Sequence, residues 1–255
     1  MKRPDFSRFC LIGTCLAISS LVIAAPHIPT DDKAILDTLP VRPGDPRGAL
    51  LRDLRGKLSK DPKNLTVAMN LARAYYSQVA EEGDPRFIGY AQGALAPWWN
   101  ASDAPVEVLV MRASIKQYRH EFSEALADLT LAQTKDPKYV TAWTTSAAIH
   151  TVQARYDQAR QHCDKLFSLT SRLLAQGCVS SIDSLTGKSA QAYASLLKEL
   201  ELAGAQATPE QKLWVQTRLA EMAQRMGDLV LAEKHFKTAL ALGISDGYLQ
   251  AAYAD

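Results

Sequence analysis

The chain has 255 residues, 47% hydrophobic and 22% charged, and only four of them are cysteine. Its 29 basic and 27 acidic residues leave a formal charge of +2, which excludes the strongly basic footprint of a nucleic-acid binder. A chain this long buries a continuous core without metals or staples.

Lys2, Arg3 and Arg8 form a basic start before an apolar run from Phe9 to Ala25. Val22, Ile23 and Ala24 supply the small-residue pattern of a cleavage site, so residues 1–24 read as a secretory signal peptide. Cleavage after Ala24 keeps Pro26 from sitting immediately past the scissile bond. The expectation is a periplasmic or secreted chain. The other reading is an uncleaved helix anchored in the inner membrane, although the run is at the short end for a span. Loss of residues 1–24 takes away three basic residues and one acid and leaves 26 of each, with no basic run remaining. Residues 25–44, rich in Pro and Asp, read as a linker. Asp45 and Pro46 open a capping helix over 45–62, with Leu50, Leu51, Leu54 and Leu58 on one face.

Residues 106–139 and 140–173 read as two copies of one 34-residue unit. Ala113 falls on Ala147, Ile115 on Ile149, Phe122 on Tyr156, Ala125 on Ala159 and Leu129 on Cys163. In the first copy Val106, Leu109, Val110 and Ala113 make one helical stripe, and Phe122, Ala125, Leu129 and Ala132 make a second. Ala113 and Ala125 stand where two antiparallel helices cross closely. Such a pair cannot bury its apolar face alone, so copies must stack. No strand pattern interrupts them.

At these positions the chain resembles the tetratricopeptide repeat family. Ala113, Phe122, Ala125, Leu129, Ala132 and Pro137 answer the family pattern in one unit, and Trp143, Ala147, Tyr156, Ala159 and Cys163 answer it in the next. Leu166 and Ser171 depart from it, where the family prefers Ala and Pro. A third good copy begins at Leu213, with Ala220, Gly227, Ala232, Phe236 and Ala239 in place. Weaker copies begin at Leu65, with an insertion around 78–84, and at Leu173. Residues 83–99 also resemble a segment of exported bacterial repeat proteins that carries no known activity.

The resemblance implies an all-α, right-handed superhelical solenoid of antiparallel helix pairs, with about five repeats after the N-terminal capping helix. Over 65–255 the units lie near 65–105, 106–139, 140–173, 173–206 and 213–246, with a partial unit at 247–255. That partial unit reads as a capping helix or as an edge through which two copies pair. The resemblance also implies a non-catalytic scaffold for protein–protein interaction that binds another protein or peptide, with no cofactor. In the family the first helices of the units line a concave groove. Carried over by position, the groove residues are Met69, Arg73 and Tyr76, then Val110, Ser114 and Gln117. Thr144, Ala148 and Thr151 follow, then Trp214, Thr217 and Glu221. These mixed aromatic, hydroxyl and amide groups suit an extended peptide or a partner helix. The Lys/Asn/Arg set with which some family members hold a C-terminal carboxylate is missing: Met69, Arg73, Val110 and Gln117 occupy those places. Trp99 reads as a partly exposed aromatic that serves packing or, alternatively, as an interaction anchor, and Asp128 as a surface residue of a second helix.

Cys10 and Cys15 leave with the signal, and Cys163 and Cys178 remain. An even pair in an oxidising compartment is most simply a disulfide, although two small buried hydrophobes is also a standing reading. The alternative function is an envelope enzyme or metal-binding protein using His150, His162, Cys163 and Cys178. Against it, His162 and Cys163 are adjacent on a helix, and no CxxC or HxxxH spacing occurs. His27, His120 and His235 read as solvated, and no nucleophile, base or phosphate cradle stands out.

Overall fold

Asp45 opens the first helix, α1 (Pro46–Lys60), by accepting the Arg47 and Gly48 amides on its carboxylate. The computed structural model describes Asp31 and residues 45–254, without the side chains of residues 80–82. Asp31 aside, the signal-peptide and linker readings therefore lie outside the described residues. Of the four leucines expected on one face of α1, Leu51 and Leu54 are buried, Leu58 is half-buried, and Leu50 is 49% exposed. The α1 stripe is narrower than the spacing suggested because, among the described residues, α1 packs mainly on α2.

Helix pairs follow in sequence. α2 (Leu65–Glu82) and α3 (Arg86–Ala94) make the first, with a short α4 (Ala96–Trp99) after it. The next two are α5 (Val106–Tyr118) with α6 (Phe122–Lys135), and α7 (Val140–Val152) with α8 (Tyr156–Leu166). Then come α9 (Arg172–Leu185) with α10 (Ser189–Ala203), α11 (Pro209–Arg225) with α12 (Leu229–Leu240), and finally α13 (Gly247–Ala254). Among the described residues there is no strand. The insertion expected as a loop around 78–84 instead lengthens α2, which runs to Glu82 and stops at Gly83 with φ of 69°.

The repeat shows most clearly in its turns. His120, Ala154, Gly187 and Gly227 stand at the same place between paired helices, with φ of 61°, 56°, 89° and 81°. That left-handed turn suits glycine and strains a residue with a Cβ by about 1–2 kcal/mol. Ala154→Gly is therefore expected to raise stability by about 0.5–1 kcal/mol, allowing for the freer unfolded chain. A urea midpoint that stays put or falls would contradict this.

Close helix crossings rest on alanine. Ala113, Ala125, Ala159 and Ala220 are wholly buried, and Ala147 and Ala232 nearly so, while Leu129, Cys163 and Phe236 fill the adjoining space. Two polar sites invert the sequence reading. Asp128, expected on the surface, is buried: Arg112 Nε donates to its Oδ2 at 2.7 Å, Arg112 Nη2 to its Oδ1, and Lys116 Nζ to Oδ2 at 2.8 Å. His235, expected in solvent, is buried between the Tyr193 hydroxyl at 2.8 Å and the Gln216 side-chain oxygen at 2.6 Å.

Trp99 is half-buried, packed with Trp98 against the first core cluster. Its carbonyl, with that of Ala101, accepts Arg112 Nη1 at 2.7 and 3.2 Å. Trp99 is thus a packing residue that closes the first unit, in line with the packing reading, and it keeps the partial exposure expected of it.

The first helix of each pair lies inside, and neighbours touch in the order α2, α5, α7, α9, α11, α13. The last of these, α13, also touches α2.

Candidate functional site

The inner helices enclose a cavity of about 720 Å³, within the size range of ligand pockets. From α7 come Val140, Thr144, Ala148, Thr151 and Val152; from α9, Leu174, Cys178, Ser181 and Leu185. Gln117 of α5, Trp214, Arg218 and Arg225 of α11, and Tyr248 of α13 also line it, with Cys163 and Leu166 of α8 beneath. Val152 is 64% and Leu185 40% exposed, so apolar surface is presented to solvent inside the groove. Gly177 makes room for the largest ring: a Cβ there would stand 2.3 Å from Trp214 Cζ3.

Of the twelve positions carried over from the family pattern, the structure brings Gln117, Thr144, Ala148, Thr151 and Trp214 to this cavity. Met69, Val110, Thr217 and Glu221 are corrected: all four are buried. The inner helices pack against one another on that side, so these positions face a neighbouring helix. Thr217 turns its hydroxyl to the Leu213 carbonyl at 2.9 Å, and Glu221 takes Arg218 Nη1 at 2.8 Å together with the Tyr248 hydroxyl. Arg73 is exposed, and Tyr76 and Ser114 half-buried, away from the cavity wall. The Tyr76 hydroxyl donates to the Ser114 carbonyl at 3.5 Å, tying α2 to α5.

Sequence reasoning missed Val152, Leu174, Ser181, Leu185, Arg218 and Tyr248, whereas Arg225 stands at a groove position of the last repeat. The spacing that gave Thr144, Ala148 and Thr151 also picks out Val152, and applied from Leu173 it picks out Leu174, Ser181 and Leu185. Nothing local marks Tyr248, which reaches the wall only because α13 folds back.

The sequence matches no family model and no curated protein. Solved structures do match. One, the APC/C hetero-tetramer Cut9-Hcn1, is 20% identical with a TM-score of 0.55 over 77% of this chain. The match covers 35% of that protein, so this chain spans about a third of its length. Another is TTC0263, a thermophilic tetratricopeptide-repeat protein from Thermus thermophilus. It is 19% identical with a TM-score of 0.53, over 82% of this chain and 97% of that one. The fold is the tetratricopeptide-repeat fold. At these identities the likeness is one of fold alone.

Within this tetratricopeptide array Cys163 and Cys178 are joined as a disulfide, with Cα atoms 5.5 Å apart, linking α8 to α9 at the floor of the groove. Bonded sulfurs offer no thiolate to a metal, which removes two of the four ligands in the alternative reading. The other two, His150 and His162, stack with ring centres 5.2 Å apart, and the Nδ1 atom of each is buried without a hydrogen-bond partner. Burial pushes both imidazoles below the ordinary value, with Arg155 adding to the effect at His150 and His150 adding to it at His162. Both therefore favour the neutral form. Among the described residues no three His, Cys, Asp or Glu side chains gather as a metal site.

Proposed function

We propose that this chain is an exported scaffold that holds a segment of another protein in the inner groove of its tetratricopeptide array. The observation that carries this reading is the groove wall. Exposed Val152 and Leu185 stand beside Gln117, Thr144, Thr151 and Ser181, which offer hydrogen bonds along the same surface. Apolar surface with a few convergent polar groups is the composition of a recognition site. None of the lining residues is a histidine or a carboxylate, so the wall supports binding over acid–base chemistry. Export rests on the basic start, the apolar run and the Val22–Ala24 cleavage pattern.

Val152→Glu combined with Leu185→Glu places two charges in the groove at positions already open to water, so the fold is expected to survive. The partner retained by the native chain in a pull-down should be lost by this variant. Equal retention by both folded proteins would move the binding surface elsewhere.

A further inference from the structure

The inner helices form a closed circuit, because α13 lies against α11 and also returns to α2. α13 is the least supported arc of that circuit. Among the described residues it runs over Gly247–Ala254. It buries one residue, Leu249, where α11 buries eight. Its other ties to α11 converge on one side chain. The Tyr248 hydroxyl bonds Glu221 and accepts Arg218 Nη1 at 3.0 Å, and the Arg218 guanidinium lies 4.6 Å from the ring centre. Tyr248 also stands between two spaces: it lines the groove and, with Glu221, Gln224 and Ala252, a cavity of about 260 Å³ beside α11. The residue that pins α13 is therefore a wall of the binding groove.

We propose that α13 is a clasp: seated against α2 it closes the ring around the groove, and an incoming protein segment enters by displacing it. This rests on the groove reading above. An element held by one buried residue and two exposed tyrosines, Tyr248 on α11 and Tyr253 with its ring 5.2 Å from that of Phe236 on α12, opens without global unfolding, which is the general behaviour of weakly supported segments. Release withdraws Tyr248 from the wall and leaves Arg218 its bond to Glu221.

Hydrogen exchange on the full chain tests this. Amides of α13 should exchange through an opening that leaves α11 and α12 protected. Tyr248→Phe keeps the ring and removes the hydroxyl, and should speed α13 exchange at least about tenfold, the loss of its hydrogen bonds to Glu221 and Arg218, with α11 unchanged. Leu249→Ser removes the buried anchor and should increase binding of the apolar-site dye bis-ANS while α11 stays protected. Exchange of α13 and α11 at one common rate, or no change in dye binding on α13 release, overturns the clasp. Equal capture of a partner with α13 seated or released also overturns the clasp and leaves the groove reading standing. Opening of α13 with dye entry, but no protein captured from groove positions, upholds the clasp and sinks the groove reading.

Discussion

Asp128→Ala is expected to destabilise the fold by about 3–5 kcal/mol, the usual cost of removing one partner from a buried ion pair. Asp128 and Arg112 side chains are each 8% exposed and Lys116 17%, so the substitution leaves two cations in a site that water does not reach. Arg112 cannot swing out to be solvated without also releasing the carbonyls of Trp99 and Ala101 that hold the turn after α4. The damage should therefore spread from the α5–α6 pair to the end of the first unit. Exchanging Arg112 and Asp128 together for Met and Leu should recover much of the loss, since apolar replacements of a buried pair are often close to neutral. It should fall short of native stability because the carbonyls lose their donor. Urea denaturation of the three proteins checks this. A loss below about 1 kcal/mol for Asp128→Ala, the range of exposed pairs, would mean that the site is wet.

Reduction of Cys163–Cys178 is expected to cost about 3 kcal/mol, the chain-entropy value for a closed loop of some 15 residues. The bond spans the boundary between two units, where α8 ends in hydrogen-bonded turns before Ser171 caps α9. Cys163 is wholly buried and Cys178 half-buried, so a Cys163→Ala, Cys178→Ala double variant keeps an apolar contact and loses only the constraint. Its urea midpoint should match that of the reduced native chain. A midpoint unmoved by reductant would show that the bond does not form in the isolated protein.

The helix pairs were legible because their close crossings demand small residues at fixed spacing, and Ala113, Ala125, Ala147 and Ala159 can be read directly. The disulfide was legible from two cysteines on adjoining helices. Asp128 was not, because an acid 16 residues from its arginine looks like any other solvated charge until the pair of helices is folded. Half of the groove escaped for a different reason. How far Met69, Val110 and Thr217 turn toward a neighbour depends on the small rotation between successive units, which no single repeat encodes. The same rotation, summed over the array, brings α13 back to α2 and sets Tyr248 in the wall. Such curvature is a property of the stack.

The account stands on the groove being the working surface, and site-specific photo-crosslinking tests it most directly. A photoreactive residue at Gln117 or at Thr151 faces the cavity, and one at Thr130 of α6, which is exposed and outside the cavity wall, serves as the control. The account predicts that one protein is captured from both groove positions and not from Thr130. Capture from Thr130 alone, or equally from all three positions, would contradict it.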